Sequence, residues 1–344
     1  RVLATPISKR RYDAIFGKAA GSPQFNRAIG GLYPTGSTFK PITALAALDH
    51  GLVTPQTTIL DAGCMTIGAE KREICNAGKF PNGPVDLRRA LQVSSDIYFY
   101  TLGRDANRLQ GQVIQTWARR LGLGHTTGID IPGEDGGTIP DKAWRARVGR
   151  EELACEKRRK VASCGISDKR PWTVGDNVNL AVGQGDVQSS PLQMAVAYAA
   201  LANDGRVVKP HLGIAVEDDA GRLLQRLDNG PPKRVSLDAG YRQAILDGLH
   251  LSTIGDGTSA PVFRGWPQGR LPLFGKTGTA TRNNRADQSW YVAFVKDGGR
   301  PIVIAATVED GGFGAEAAAP VVCRMLNRWY GQKAGCAAGK SATR

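Results

Sequence analysis

Leu273-Phe274-Gly275-Lys276-Thr277-Gly278-Thr279-Ala280 reads as a β-strand. It has apolar ends, β-branched threonines, and glycines where another backbone must approach closely. Two more apolar runs, Trp290 to Val295 and Ile302 to Val308, follow it across short polar loops. The three predict an antiparallel meander, with Ala319 to Tyr330 as a closing helix packed on it. A further strand is expected over Val207 to Val216. Helical periodicity marks Val113 to Leu121, where Ile114, Trp117 and Leu121 share a face. It also marks Pro191 to Asn203, which begins after Ser189-Ser190 and is followed by Gly205, and a third stretch through Tyr241, Ile245 and Leu249. The fold class predicted is a mixed α/β (α+β) chain: a mainly antiparallel sheet flanked by helices, with a helical subdomain.

The strand carries Lys276-Thr277-Gly278, the last of three short strings with chemical meaning. The first lies in Tyr33-Pro34-Thr35-Gly36-Ser37-Thr38-Phe39-Lys40-Pro41. Pro34 and Gly36 mark a turn, and Phe39, Ile42, Leu45 and Ala46 then fall on one helical face. Ser37 is expected at or just inside that helix's N-terminus, where free N–H groups and the dipole favour a developing oxyanion. Ser37 and Lys40, three residues apart, share a face. A serine hydroxyl needs a base to become a nucleophile, and a lysine serves only when desolvation or a nearby cation lowers its pKa. Lys276 can supply that second charge.

The second string, Ser94-Ser95-Asp96, follows a short helical stretch from Asp86 to Leu91 and precedes the apolar Ile97-Tyr98-Phe99-Tyr100. Ser94 is a candidate proton shuttle between Lys40 and a leaving group, and Asp96 a polar contact to a substrate backbone. A peptide-like substrate can pair with the edge of the Lys276 strand. Lys276, Thr277 and Thr279, with Gly278 between them, would hold its carboxylate, and the backbone N–H groups of Ser37 and Thr279 would form an oxyanion hole. Taken singly, each string is an ordinary helix cap or strand end. Their order and joint presence point to serine acyl transfer.

With these strings in place the chain resembles the transpeptidase domain of class B penicillin-binding proteins. Phe25-Asn26-Arg27-Ala28, Gly183-Gln184-Gly185-Asp186, Ser190-Pro191-Leu192-Gln193-Met194-Ala195 and Ser289-Trp290-Tyr291-Val292-Ala293-Phe294 extend the likeness over roughly residues 2 to 330. Asp96, where many relatives carry Asn, resembles the elongation-type group, penicillin-binding protein 2. The resemblance implies an enzyme that cross-links peptidoglycan stem peptides. Ser37 would attack the D-Ala-D-Ala donor and pass the acyl group to an amine acceptor, and β-lactams would acylate Ser37 covalently. It implies no cofactor and, through missing upstream regions, a membrane glycosyltransferase partner. Some relatives hold a metal between the first two strings; here Asp61 to Lys79 has no histidine, so no zinc is expected. The alternatives are a D,D-carboxypeptidase, a serine β-lactamase, or a β-lactam sensor that acylates and stops. The Glu-x-x-Leu-Asn of class A β-lactamases is absent between Ser95 and Lys276.

One domain, residues 1–330, is expected, because no linker-like stretch divides the chain. Residues 331–344, rich in Gly, Ala and Lys, are expected to be mobile unless Cys336 ties them to Cys323. Cys64 with Cys75, Cys155 with Cys164, and Cys323 with Cys336 are candidate disulfides without a zinc spacing. Disulfides imply an oxidising, extracytoplasmic site, periplasmic or on the outer face of the cell membrane. No apolar run approaches the roughly 18 residues of a membrane span. Arg1-Val2-Leu3-Ala4 reads as a strand end, which suggests a longer parent with a membrane anchor and an upstream pedestal domain. The net charge of +14 raises nucleic acid as a partner, but the basic residues are dispersed and no nucleic-acid-binding motif accompanies them. An anionic lipid surface or cell-wall polymer suits them better, and most are read as solvated. Glu134 to Arg170 is read either as an ordered loop beside the site or as an insertion with no catalytic part. His50, His125, His211 and His250 show no metal spacing.

Overall fold

The computed structural model describes residues 6–17, 21–228, 230–282 and 285–339. The strand end expected at Arg1–Ala4 and the last residues of the tail lie outside them. Helix α1 (Lys9–Phe16) comes first, and a 3-10 turn, Gly36–Phe39, runs into α2 (Lys40–Asp49). Short strands follow: β1 (Ile59–Asp61) pairs with β4 (Gly83–Val85) and encloses the hairpin of β2 (Cys64–Ile67) and β3 (Arg72–Cys75). Helices α3 (Leu87–Val93), α4 (Asp96–Ala106), α5 (Val113–Arg120), α6 (Lys142–Arg159), α7 (Val174–Ala181) and α8 (Pro191–Ala202) come next. Two small ribbons, β5 (Arg206–Val207) with β8 (Lys233–Arg234) and β6 (Ala215–Glu217) with β7 (Leu223–Arg226), precede α9 (Ala239–Leu251). The chain closes with β9 (Phe274–Arg282), β10 (Arg285–Val295), β11 (Ile302–Val308) and α10 (Ala318–Tyr330).

The expected meander is present: β9, β10 and β11 form an antiparallel sheet with β10 in the centre. Side chains alternate across a strand, and β10 uses both faces. Trp290, Val292 and Phe294 join the large core built on α2, α8 and α9. Tyr291, Ala293 and Val295 join a second core beneath α10. Burial on both sides explains why the run is continuously apolar rather than alternating. The helical part stacks α3 on α9, α4 on α7, and α2 on α4 and α5. Helices therefore flank both faces of the sheet, and the fold class read from the sequence holds.

Three local expectations change. The strand expected over Val207 to Val216 is split into β5 and β6, because Pro210 lies between them and has no N–H for a ladder. The helix after Ser37 begins as a 3-10 turn and becomes α-helical at Lys40, with Pro41 in its first turn. The tail is held over its described part, residues 331–339. Cys336 is bonded to Cys323, and its N–H donates to Val262 O at 3.1 Å, while that of Gly339 donates to Ala315 O at 2.9 Å.

Candidate active site

Three chain segments meet at Ser37. Gly36, at φ 54°, donates its N–H to Gly183 O at 2.8 Å. A Cβ at Gly36 would collide with the carbonyl of Thr279, and one at Gly183 with that of Gly36. Only glycine permits both the left-handed turn and this approach. The turn bearing Ser37 is thereby pressed between the β9 edge and the Gly183–Asp186 loop. Ser37 lines a cavity of about 460 Å³ together with Ser94, Asp96, Gln184, Thr277 and Thr279. Its hydroxyl makes no hydrogen bond among the described residues.

Lys40 and Lys276 are both fully buried. The Lys40 ammonium donates to Asp96 Oδ1 at 2.7 Å, to the Ser94 carbonyl at 2.7 Å and to Ser94 Oγ at 3.2 Å. It also lies 5.4 Å from the centre of the Phe99 ring. Lys276 Nζ donates to the same Ser94 Oγ at 2.8 Å, and to Thr277 O at 3.1 Å. One hydroxyl thus bridges two lysines, and one carboxylate faces them. Burial lowers the pKa of Lys40, against the opposing pull of Asp96. Burial holds Lys276 well below the ordinary lysine range, and the nearby Lys40 charge adds to the depression.

Ser94 reaches this point because it occupies the junction of α3 and α4 in the left-handed region, at φ 61° and ψ 39°. For a non-glycine residue that conformation costs about 1 kcal/mol or more. Ser95, the next residue, caps α4 by accepting from Tyr98 N. Asp96 is 20% exposed. It was expected to touch substrate, and in this structure its carboxylate pairs with Lys40. Thr277 is nearly buried and donates its hydroxyl to Thr258 Oγ1 at 2.8 Å. Thr279 is half-exposed, and its carbonyl accepts from Gln184 Nε2 at 3.2 Å. Gly278, expected with the substrate-binding group, does not line the cavity. A Cβ there would sit 2.8 Å from Thr35 O and 2.9 Å from Thr38 Cγ2, so its bareness lets the Ser37 turn pack on the sheet.

Asn76 and Thr258 also line the cavity; an isolated Asn or Thr carries no spacing signal in the sequence. The three cysteine pairs are bonded as expected. Cys64, Glu73 and Cys75 cluster as metal ligands would, but the two sulfurs are joined to each other. Each histidine bonds a backbone carbonyl: His50 that of Ala46, His125 that of Thr126, His211 that of Gly213 and His250 that of Leu273.

Residues 5–327 match the family model described as the penicillin binding protein transpeptidase domain. The chain belongs to that family. It is 28% identical over 345 residues to the peptidoglycan D,D-transpeptidase MrdA of Haemophilus influenzae, covering 95% of this chain and 48% of that protein. It is 30% identical to MrdA of Acinetobacter baumannii, covering 92% and 45%. Among solved structures it resembles Pseudomonas aeruginosa PBP2 in complex with WCK 5153, with a TM-score of 0.76, 30% identity, and coverage of 94% of this chain and 67% of that one. It also resembles Helicobacter pylori PBP2 in a complex with MreC, with a TM-score of 0.73, 26% identity, and coverage of 94% and 54%. The chain spans about half the length of the curated relatives it matches.

Proposed function

We propose that this domain carries out the D,D-transpeptidase step of peptidoglycan cross-linking through an acyl-enzyme on Ser37. The observation that carries this reading is Ser94 Oγ, placed 3.2 Å from Lys40 Nζ and 2.8 Å from Lys276 Nζ with a single carboxylate, Asp96, beside them. Two buried ammonium groups facing one carboxylate cannot both stay protonated cheaply, so the pair gives up a proton at lower pH than free lysines do. The Ser94 hydroxyl accepts from the charged lysine and donates to the neutral one. One proton can therefore pass from Lys40 through Ser94 to Lys276. That leaves Lys40 as the base and Lys276 as the cation facing the donor's terminal carboxylate.

Ser37 Oγ attacks the carbonyl carbon between the two D-alanines, and its proton goes to Lys40. The oxyanion forms between the N–H groups of Ser37 and Thr279, and Thr277 and Thr279 bind the carboxylate. Collapse breaks the C–N bond, and the departing D-alanine amine takes a proton from Ser94, which Lys40 refills. An acceptor amine then attacks the ester, loses its proton by the same route in reverse, and frees Ser37. The cavity edge at β9 suits a peptide donor laid as an added strand. A metal has no part in this scheme.

The disulfides favour an oxidising compartment outside the cytoplasm. No helix among the described residues is long and apolar enough to cross a membrane. The anchor and the contacts to a polymerising partner are assigned to regions outside this domain. A donor peptide ending in D-Ala-D-Ala, supplied with an amine acceptor, tests the reading. Cross-linked product supports transpeptidation, release of D-alanine without cross-linking indicates a carboxypeptidase, and acylation by penicillin with neither product indicates a sensor.

A further inference from the structure

The buried carboxylate of Asp61, at the end of β1, takes no part in the scheme above, yet four donors converge on it. Oδ1 accepts from Gly63 N at 2.9 Å and from Asn76 Nδ2 at 2.7 Å; Oδ2 accepts from Asn82 Nδ2 at 2.7 Å and from Ser95 Oγ at 2.5 Å. Asn76, just past the β2–β3 hairpin, is satisfied at every position. Its second amide hydrogen goes to Phe80 O at 2.8 Å, and its Oδ1 accepts from Asp96 N at 2.9 Å and Ile97 N at 3.2 Å. The first N–H groups of a helix have no partner within it. Here those of α4 are received by a side chain twenty residues away along the chain. The hairpin is closed at its base by the Cys64–Cys75 disulfide and by Asn76 N donating to Gly63 O at 2.8 Å.

We propose that Asn76 and Asp61 are positioning residues for acyl transfer, which fix the start of α4 so that Asp96 meets Lys40. Asp61 holds both caps of that helix at once, Ser95 by its hydroxyl and Asn76 by its amide. Asp96 has no other backbone anchor at its N–H, so its 2.7 Å contact with Lys40 depends on this latch. Of the charged groups around Lys40, Asp96 from α4 is the one in contact; Asp61 from β1 and Lys276 from β9 act on it only through space. Replacing Asn76 by alanine changes none of these charges. It frees the start of α4 and lets Asp96 move away from Lys40. Lys40 then loses the partner that raises its proton affinity, and sheds its proton at lower pH.

This inference rests on the acyl-transfer reading. The test is the rate of penicillin acylation as a function of pH, followed by intact mass, for the wild type, Asn76→Ala, Asp96→Asn and the double variant. Asn76→Ala is expected to slow acylation by about 10-fold or more, the scale of a misplaced catalytic group, and to move the acid limb of the profile to lower pH. In the Asp96→Asn background it should no longer move the limb. Ile304→Val, a core change remote from α4, lowers thermal stability and should leave the limb in place. Should Asn76→Ala lose its circular dichroism spectrum, Asn76→Gln, with the same amide displaced by one methylene, replaces it with the same expectation. An unchanged limb and rate in a folded Asn76 variant, beside a wild type that acylates, overturns the latch alone, and so does a limb shift that persists in the Asp96→Asn background. A wild type that forms no adduct overturns serine acyl transfer and the latch together.

Discussion

Two cation clusters, one built on a pair of buried lysines and the other on a buried arginine, differ in how their charge is balanced. Around Ser94, two lysines face one carboxylate. Around Arg145, which is 8% exposed on its side chain, two arginines meet three carboxylates. Arg145 pairs with Asp176 at 2.9 Å, Asp186 at 2.7 Å and Asp168 at 3.6 Å, while Arg170 pairs with Asp176 and Asp168. Arginine stays charged under any such pressure, whereas a buried lysine can lose its proton. The over-compensated arginine cluster ties α6 to α7 and to the loop behind Ser37. The under-compensated lysine pair releases a proton at lower pH than free lysines do, as the proposed reaction requires. Residues 134–170, read from the sequence as an ordered loop or an insertion, contain helix α6 and supply Arg145, Asp168 and Arg170 to this cluster. Glu152, fully buried, gathers Ser163 Oγ and the N–H groups of Cys164 and Ile166 at 2.6 to 2.8 Å.

This contrast can be broken from either side. The largest effect is expected for Arg145→Met, which opens the buried pair of Arg145 with Asp176. It should cost about 3 kcal/mol, the low end for opening a buried ion pair, because Arg170 still covers Asp176. Denaturant unfolding reads this, and a loss near zero would show that the arginine cluster is ornamental. On the lysine side, Lys40→Ala should slow penicillin acylation by at least ~10²-fold, the lower end for a general base, with the fold kept by circular dichroism. Near-normal acylation would remove Lys40 from that role.

A subtler probe is the charge balance itself. Asp96 raises the proton affinity of Lys40, so Asp96→Asn should move the acid limb of the acylation profile to lower pH. A limb that stays or moves upward contradicts the shared-carboxylate scheme. The smallest effect concerns Glu152. Burial works against its ionisation, but the bonds from Ser163, Cys164, Ile166 and Ser167 prevail and lower its pKa from the ordinary 4.5 to about 2. A depressed carboxylate pKa adds stability above its unfolded value and loses it as pH falls through the folded one. Relative to the intrinsic amide rate at each pH, hydrogen exchange at residues 163–167 should therefore rise between about pH 4.5 and pH 2 in the wild type. In Glu152→Gln that rise should be absent, with faster exchange already at neutral pH.

Much of this was legible in the sequence because its signals are local. The apolar runs of β10 and β11, the capped start of α8, and the three strings bearing Ser37, Ser94 and Lys276 are each read within a dozen residues. Cysteine pairs spaced 11, 9 and 13 apart likewise close their own loops. What stayed hidden is made by distant partners. Asp96 was read as a substrate contact because nothing in Ser94-Ser95-Asp96 reveals that α2 brings Lys40 against it. Asp61 and Asn76 carry no signal in the sequence, because a buried Asp or Asn resembles an exposed one until its donors are known. At Gly278 the glycine marks a close approach without saying which backbone approaches, and in the structure that of Thr35 does.

The most direct test of the account is intact-protein mass spectrometry over time after penicillin is added, with peptide mapping and the Ser37→Ala variant alongside. The account predicts one stable adduct on the peptide containing Ser37, and none on the variant. An adduct that survives Ser37→Ala, maps elsewhere, or never forms on the folded wild type would contradict it.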